Sequence, residues 1–159
     1  MKGALVVMCV ALLAVLVAGC TPQPPKQISL YYYNPELDKD SSGNIMCSEA
    51  GLVAVTRQVA PSLSGLALVE ETIRLLISGD LTAEETAQGI TTEFPLEGFS
   101  LQDASLTYGD LTLTFVDPNF RTSGGSCRVG VLWAQIEETA LQLPGIEQVG
   151  YQPADLFQP

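Results

Sequence analysis

The first 20 residues constrain this chain more than any other feature, because they have the pattern of an export signal and so limit the folded domain to the rest of the chain. A short start carrying Lys2 is followed by an unbroken apolar run from Ala4 to Ala18. A membrane-spanning helix needs ~20 apolar residues, so this run is short for a stable span and matches the core of a secretory signal. Residues 1–19 are therefore predicted to be a signal peptide that is removed on export.

The signal ends in Val17-Ala18-Gly19-Cys20, and small residues before a cysteine resemble the lipobox of bacterial lipoproteins. In such proteins the cysteine receives a diacylglycerol, the preceding peptide is cut off, and the new amine is usually acylated, for example with palmitate. Two or more acyl chains anchor a protein firmly. We therefore predict lipidation of Cys20, with the protein on the outer face of the cell membrane, or in the outer membrane if the host has one. The alternative is an ordinary signal peptide with an incidental cysteine.

Residues 20–27 contain three prolines and no large apolar side chain after the cysteine, which is typical of a short, stiff tether. Residues 28–159 are then predicted to form the folded domain. Because 47% of all residues are apolar and only 16% are charged, the chain can bury a core, and its length fits one domain.

The charge balance excludes several classes of function. Eighteen acidic residues stand against seven basic ones, and the net charge of −11 argues against nucleic acid as a partner. The chain has no His, the commonest general base near neutral pH and the commonest metal ligand. We predict no catalytic residues, no enzymatic activity and no required cofactor. An envelope hydrolase built on two close carboxylates is the alternative, since a sequence does not measure their separation.

Apolar periodicity predicts an α+β domain with the order β-β-α-(α)-β-β-α-β. Strands are predicted over 28–33, 51–59, 100–108, 111–116 and 146–151, and the two main helices over 64–78 and 126–143. Gly79 is predicted to cap the first helix, and the capping box Thr82-Ala83-Glu84-Glu85 to begin a short one. Gly109-Asp110 is predicted to be the two-residue loop of a hairpin. The simplest arrangement is a mixed sheet with both main helices on one face.

Apolar stripes indicate which sides of these elements are buried. The stripe of the first main helix comprises Leu66, Val69, Ile73, Leu76 and Ile77, widened by Leu68 and Leu75, and that of the second comprises Val129, Leu132, Trp133, Ile136, Ala140 and Leu143. In the strand 111–116, Leu111, Leu113 and Phe115 point to the core. Among the consecutive tyrosines 31–33, alternation predicts that one or two are exposed and suit a contact surface.

Cys47 and Cys127 are the cysteines that remain after the signal and the anchor. Outside the cytoplasm such a pair is most simply a disulfide. The alternatives are two buried thiols, or a nucleophilic Cys127 at a helix start, for which the chain has no His as base. Zinc is disfavoured because two Cys without His do not complete its usual shell. The run Gly124-Gly125-Ser126-Cys127-Arg128 could hold an anion, although a turn followed by a helix cap is the simpler explanation.

The segment 38–49 has the pattern of a twelve-residue calcium loop. Its ligands would be Asp38, Asp40, Ser42, Asn44 and Glu49, with Gly43 allowing the sharp turn. Pro35 and Gly51 leave no room for the helices that normally flank such a loop. The alternative is a solvated polar loop between two strands, where these residue types are common.

Several short motifs, taken in order, resemble the GerMN domain of spore-germination-protein-like lipoproteins. They are Val55-Thr56-Arg57, Leu75-Leu76-Ile77-Ser78-Gly79, Thr82-Ala83-Glu84-Glu85, Gly89-Ile90-Thr91-Thr92, Ser126-Cys127-Arg128, Ala134-Gln135-Ile136 with Thr139, and Leu143-Pro144-Gly145-Ile146 with Val149. The resemblance covers residues 28–151. The chain departs from it at Asp80-Leu81, where many members have Gly-Pro, and in one domain copy where the germination protein that names the family has two.

The resemblance implies a compact α+β domain similar to the ring-building modules of secretion and sporulation channels, with an envelope role carried by protein contacts. We therefore predict a lipid-anchored, extracytoplasmic binding or assembly module. Its partners would be the membrane, through the lipid, and envelope proteins, and homo-oligomer formation is left open. The rival prediction is a small-ligand, cell-wall or calcium-dependent binding lipoprotein.

Overall fold

A computed structural model describes residues 23–159. Its elements are β1 (Lys26–Tyr33), β2 (Leu52–Val59), α1 (Gly65–Ser78), α2 (Ala83–Ala87), β3 (Ser100–Thr107), β4 (Asp110–Val116), α3 (Ser126–Leu141) and β5 (Gln148–Gln152). Two short 3-10 turns, Pro35–Leu37 and Glu49–Gly51, lie between β1 and β2. The predicted α+β class and element order are confirmed, whereas the signal peptide and Cys20 lie outside the described residues. No helix within residues 23–159 is long and apolar enough to cross a membrane.

The five strands form two sheets. The mixed sheet has the order β3-β4-β5, with β3 antiparallel and β5 parallel to β4. The parallel pair requires a crossover, and α3 supplies it. β1 and β2 form an antiparallel sheet of their own, from Lys26↔Val59 to Tyr33↔Leu52. They stay separate because the free edge of β1 is occupied by Thr91 and by side chains near the end of α3.

The core lies where the two main helices meet both sheets. α1 packs on β3 and β1, α3 packs on β1 and β5, and the two helices contact each other. The buried side of α1 comprises Leu68, Val69, Thr72, Ile73 and Leu76. This side is rotated slightly from the predicted stripe, since Leu66 and Ile77 are only half-buried. Thr72 is tolerated there because its hydroxyl donates to the Leu68 carbonyl at 2.7 Å.

Trp133 corrects the stripe predicted for the second main helix. It is 44% exposed, whereas Val129, Leu132 and Ile136 are buried. Its ring stands edge-on to Tyr151 at a centroid distance of 6.1 Å. Tyr151 lies on β5, an edge strand of the mixed sheet, so no further strand of residues 23–159 continues the sheet beyond it.

The β3–β4 hairpin corrects the predicted loop by one residue. Thr107 pairs with Asp110, so the loop is Tyr108-Gly109 and not Gly109-Asp110. Both loop residues have positive φ, at 51° and 92°. A type I′ turn requires this, and it matches the twist of the strands. The predicted inward alternation of β4 is confirmed.

An ion pair holds α2 against β2. The Arg57 guanidinium donates to both carboxylate oxygens of Glu85, at 2.6 and 2.8 Å, and to the Asp80 carbonyl at 2.7 Å. Glu85 also completes the predicted capping box with Thr82. The hydrogen bonds from Arg57, with those from Thr82, lower the Glu85 pKa from its ordinary 4.5 to about 2.

We expect this pair to make stability depend on acid pH. A pKa lowered by folding stabilises the protein above the unfolded-state value near 4.5, and this contribution disappears as the pH falls towards 2. Glu85→Gln should therefore lose about 1–2 kcal/mol of unfolding free energy at pH 7. Denaturant unfolding of the wild type and the variant at pH 7, 3.5 and 2 measures the difference in their unfolding free energies. This difference should become smaller as the pH falls. A difference that is constant across this range would contradict the assignment.

Candidate functional site: a groove beside the disulfide

A disulfide joins Cys47 to Cys127, with their Cα atoms 5.1 Å apart. The pairing predicted from the sequence is thus present. Cys47 lies in the loop that follows β1, and Cys127 lies in the first turn of α3. The bond therefore fastens the loop 36–50 to the start of the helix. Cys127 is committed to this bond rather than free as a nucleophile.

The loop is also held from inside by Asp38, which is only 3% exposed. Its carboxylate accepts hydrogen bonds from the Tyr33 hydroxyl at 2.5 Å and from the backbone N–H of Ser48 at 2.7 Å. The Ser48 hydroxyl adds a third at 2.5 Å. These hydrogen bonds lower the pKa of Asp38, and the largest effect comes from Ser48, followed by Tyr33. Burial and the bond to Asp38 raise the pKa of Tyr33 to about 12.

The remaining residues of the proposed calcium pattern serve the loop itself. Asp40 accepts from the backbone N–H groups of Ser42 and Asn44, each at 2.8 Å, and from the Asn44 side chain at 3.0 Å. Glu49 begins the second 3-10 turn. Residues 23–159 contain no group of three or more His, Cys, Asp or Glu side chains placed to share a metal ion. Calcium binding stays a prediction of the pattern alone, and it would have to replace these hydrogen bonds.

A groove of about 450 Å³ opens between the end of β1, the loop 36–50, the segment after α2 and the first three turns of α3. We call it the disulfide groove. Its lining includes Tyr33, Ile45, Thr92, Cys127, Val131 and Gln135. Gln135 is buried, and both ends of its amide are satisfied, by the Thr92 hydroxyl at 3.1 Å and the Val131 carbonyl at 3.2 Å. The floor is therefore fixed, and the groove offers mainly apolar surface.

The loop 36–50 carries three exposed apolar side chains, one of which, Ile45, lines this groove. Leu37 is 61% exposed, Ile45 49% and Met46 59%. Three large exposed apolar side chains on one short loop are a candidate contact surface for a protein partner. We call these three residues the apolar rim. Sequence reasoning described 36–50 as a polar loop and missed the rim, although its members stand out there among Asp, Ser and Asn.

The opposite wall of the groove carries Arg128. Its guanidinium donates to Glu93 at 2.6 Å and to the carbonyls of Ser123 and Arg121, each at 2.8 Å. The charge is thus paired with Glu93, and each of the three guanidinium nitrogens donates one hydrogen bond within the fold. The anion site considered for this helix start would have to compete with Glu93.

The predicted contact surface of consecutive tyrosines is largely absent. Tyr32 and Tyr33 are both buried, and Tyr31 is half-buried. The Tyr32 hydroxyl donates to the Leu76 carbonyl at 3.2 Å, which explains its burial on the core side. Burial raises the pKa of Tyr32 to about 12. Tyr33 lies on the other face but is covered, because the loop 36–50 folds back over it through Asp38.

Comparison with family models matches residues 29–150 to Germane, described as sporulation and spore germination. The chain belongs to the Germane family. Among solved structures, this Germane domain is similar to the tandem GerMN domains of the sporulation protein GerM from Bacillus subtilis, with a TM-score of 0.57 and 20% identity. The match covers 89% of this chain and 44% of that one, so the chain spans less than half of GerM's length. At this identity the likeness establishes the fold. Comparison with curated proteins gives no match.

Proposed function

We propose that this Germane domain is a lipid-anchored, extracytoplasmic, non-catalytic assembly module of the cell envelope, which binds a partner protein through the disulfide groove and its apolar rim. The family description, sporulation and spore germination, supports an envelope process of that kind. The lipobox-like Val17-Ala18-Gly19-Cys20 supports the anchor.

The observation that carries the proposal is the distance between the tether and the groove. The chain enters β1 at Lys26, so the strand includes the last two residues of the predicted tether, while Tyr33 at the other end of β1 lines the groove. Eight strand residues span roughly 25 Å. α3 runs alongside in the opposite sense, since Tyr31 N–H donates to Thr139 and Gln142 donates to Ser29 O. Attachment through Cys20 would therefore leave the groove free to bind.

The chemistry of the groove favours an apolar anchor from a protein partner. The apolar rim adds exposed side chains to a cavity whose polar floor is already hydrogen-bonded. Binding an apolar side chain there removes apolar surface from water at roughly 25 cal/mol per Å². The disulfide and Asp38 hold the loop in place before binding, so little ordering entropy opposes association.

Two experiments test the two halves of the proposal. For the anchor, mass spectrometry of the N-terminal peptide should find a lipid on Cys20, and Cys20→Ala should release or mislocalise the protein. Unmodified Cys20 in membrane-bound protein would overturn this half. For the groove, a photo-crosslinker at Ile45 in intact cells should capture an envelope protein. The matched control is a crosslinker at Tyr108, which is 99% exposed on the β3–β4 turn.

For a variant test, the crosslinking probe is placed at Met46. Ile45→Asp should then remove the crosslink and leave the melting temperature near that of the parent protein. Equal capture from Tyr108 and from Ile45 would count against a specific groove. The volume of about 450 Å³ also fits a small ligand, which is the second candidate function. Capture of no protein, together with a bound small molecule in purified material, would favour that candidate.

A further inference from the structure

The outer edge of β2 carries a row of backbone groups without partners among residues 23–159. In an antiparallel pair, alternate residues point their N–H and C=O to opposite neighbours. Gly51 bonds inward to Asn34, and Arg57 lies in the same phase. The backbone N–H and C=O groups of Ala54, Thr56 and Gln58 therefore point away from β1. The side chains of all three residues are exposed. We call these three residues the β2 edge.

The hydrogen bonds of β1 confirm this phase. Ser29, Tyr31 and Tyr33 lie opposite Thr56, Ala54 and Leu52 in the register. Those β1 residues bond away from β2, to Gln142, Thr139 and Thr91. Their opposites on β2 must then also bond away from β1. The row ends at Leu52, whose N–H already donates to Glu49 O.

The β2 edge lacks most of the devices that normally prevent edge pairing, and its one covered group is the Thr56 carbonyl, which accepts from the Arg57 guanidinium at 3.0 Å. Proteins blunt such edges with Pro, Lys, bulges or very short strands. β3 has a bulge between Leu101 and Asp103, and Arg74 covers the Leu101 carbonyl at 2.9 Å. β5 has only five residues and is followed by Pro153. β2 has eight residues, no bulge in its pairing and no Pro.

We propose that a second copy of this chain pairs with the β2 edge, antiparallel, about a two-fold axis at Thr56. The free groups are symmetric about that residue, with Ala54 and Gln58 on either side. Thr56 then faces Thr56 of the partner subunit, and Ala54 faces Gln58 of the partner subunit, each pair exchanging its N–H···O bonds. The Thr56 carbonyl accepts one bond from the Arg57 side chain and keeps a second lone pair for this purpose.

The charges on β2 suit pairing with itself. Its residues are neutral except Arg57, whose charge is balanced by Glu85 at 2.6 Å. In the proposed register Arg57 faces Val55 of the partner subunit, so no like charges meet. Facing Thr side chains are a favourable cross-strand pair. The two-fold axis is normal to the sheet. If the sheet lies parallel to the membrane, both tethers are at the same height above it, and both copies can be anchored.

Charge substitutions at the axis test this register. Two differently tagged full-length copies are co-expressed, extracted in mild detergent, and co-isolation is measured. Wild-type copies should co-isolate. Thr56→Lys in both copies, or Thr56→Glu in both, should reduce co-isolation about two- to five-fold, because like charges then face each other. Thr56→Lys in one copy with Thr56→Glu in the other should restore it.

Backbone and surface variants complete the test. Thr56→Pro removes the outward N–H and should abolish co-isolation, whereas Thr56→Val keeps it and should behave as wild type. Gln102→Lys, on the exposed face of β3, is the matched charge control and should change nothing. Unfolding curves check that each variant is folded. Co-isolation that is insensitive to Thr56→Lys, or a loss that the Lys/Glu mixture does not reverse, overturns the proposal. Neither result bears on the crosslink at Ile45.

Discussion

Replacing both Cys47 and Cys127 by Ala is expected to lower the unfolding free energy by about 4 kcal/mol, because the bond closes a long loop in the unfolded chain. The two cysteines are 80 residues apart in the sequence. For a domain of this size the melting temperature should fall by roughly 10–20 °C. Thermal unfolding followed by circular dichroism measures this directly.

The wild-type chain in a reducing agent provides the control for this prediction. It should unfold at nearly the same temperature as the double variant, and the reducing agent should leave the variant unchanged. The loss should also weaken crosslinking from Ile45, because the loop 36–50 would lose its covalent bond to α3. A double variant with the same melting temperature as the oxidised wild type would contradict the prediction.

Gly79→Ala is expected to cost about 3 kcal/mol or more, from two separate causes. Gly79 ends α1 with φ of +69°, where an L side chain is strained by about 1–2 kcal/mol. In addition, a Cβ atom there would overlap the Phe94 carbonyl and lie 2.8 Å from the Pro95 nitrogen. Backbone does not move aside cheaply in a packed interior, so overpacking adds about 1–3 kcal/mol. Denaturant unfolding should show the loss as a lower midpoint.

Gly43→Ala separates the two causes. Gly43 also has positive φ, at +86°, but a Cβ atom there has nothing within 4 Å. It should lose only the strain contribution, about 1 kcal/mol. Equal losses at Gly43 and Gly79 would show that the approach of Phe94 and Pro95 contributes nothing.

Local patterns in the sequence anticipated most elements. The capping box at Thr82, the Gly79 cap, the alternation of β4 and the helical periodicities all depend on near neighbours, and all are present. The Gly-X pattern predicts the hairpin loop one residue too late, because Tyr108 and Gly109 are the two residues that adopt positive φ. A non-glycine residue in that conformation gives no clear local signal.

The candidate site was accessible from the sequence only in part. The disulfide pair followed from counting the cysteines that an exported chain would retain. The groove did not, because its walls come from β1, the loop 36–50, the segment after α2 and α3. The loop pattern itself was ambiguous: Asp38 and Asp40 could bind calcium or their own backbone, and in the structure they serve the loop.

The sequence by itself determined which stretches form helices and strands, how they are capped, and which cysteines are left to pair, since each depends on residues within a few positions or on a simple count. Only the tertiary structure decided that the strands divide into two sheets, that Tyr33 is covered while Trp133 is not, and that β2 keeps an open edge. Those outcomes depend on which distant groups reach a given edge first: Thr91, Thr139 and Gln142 reach β1, and no group in residues 23–159 pairs with the outward backbone of Ala54, Thr56 and Gln58 apart from the Arg57 side chain at one carbonyl.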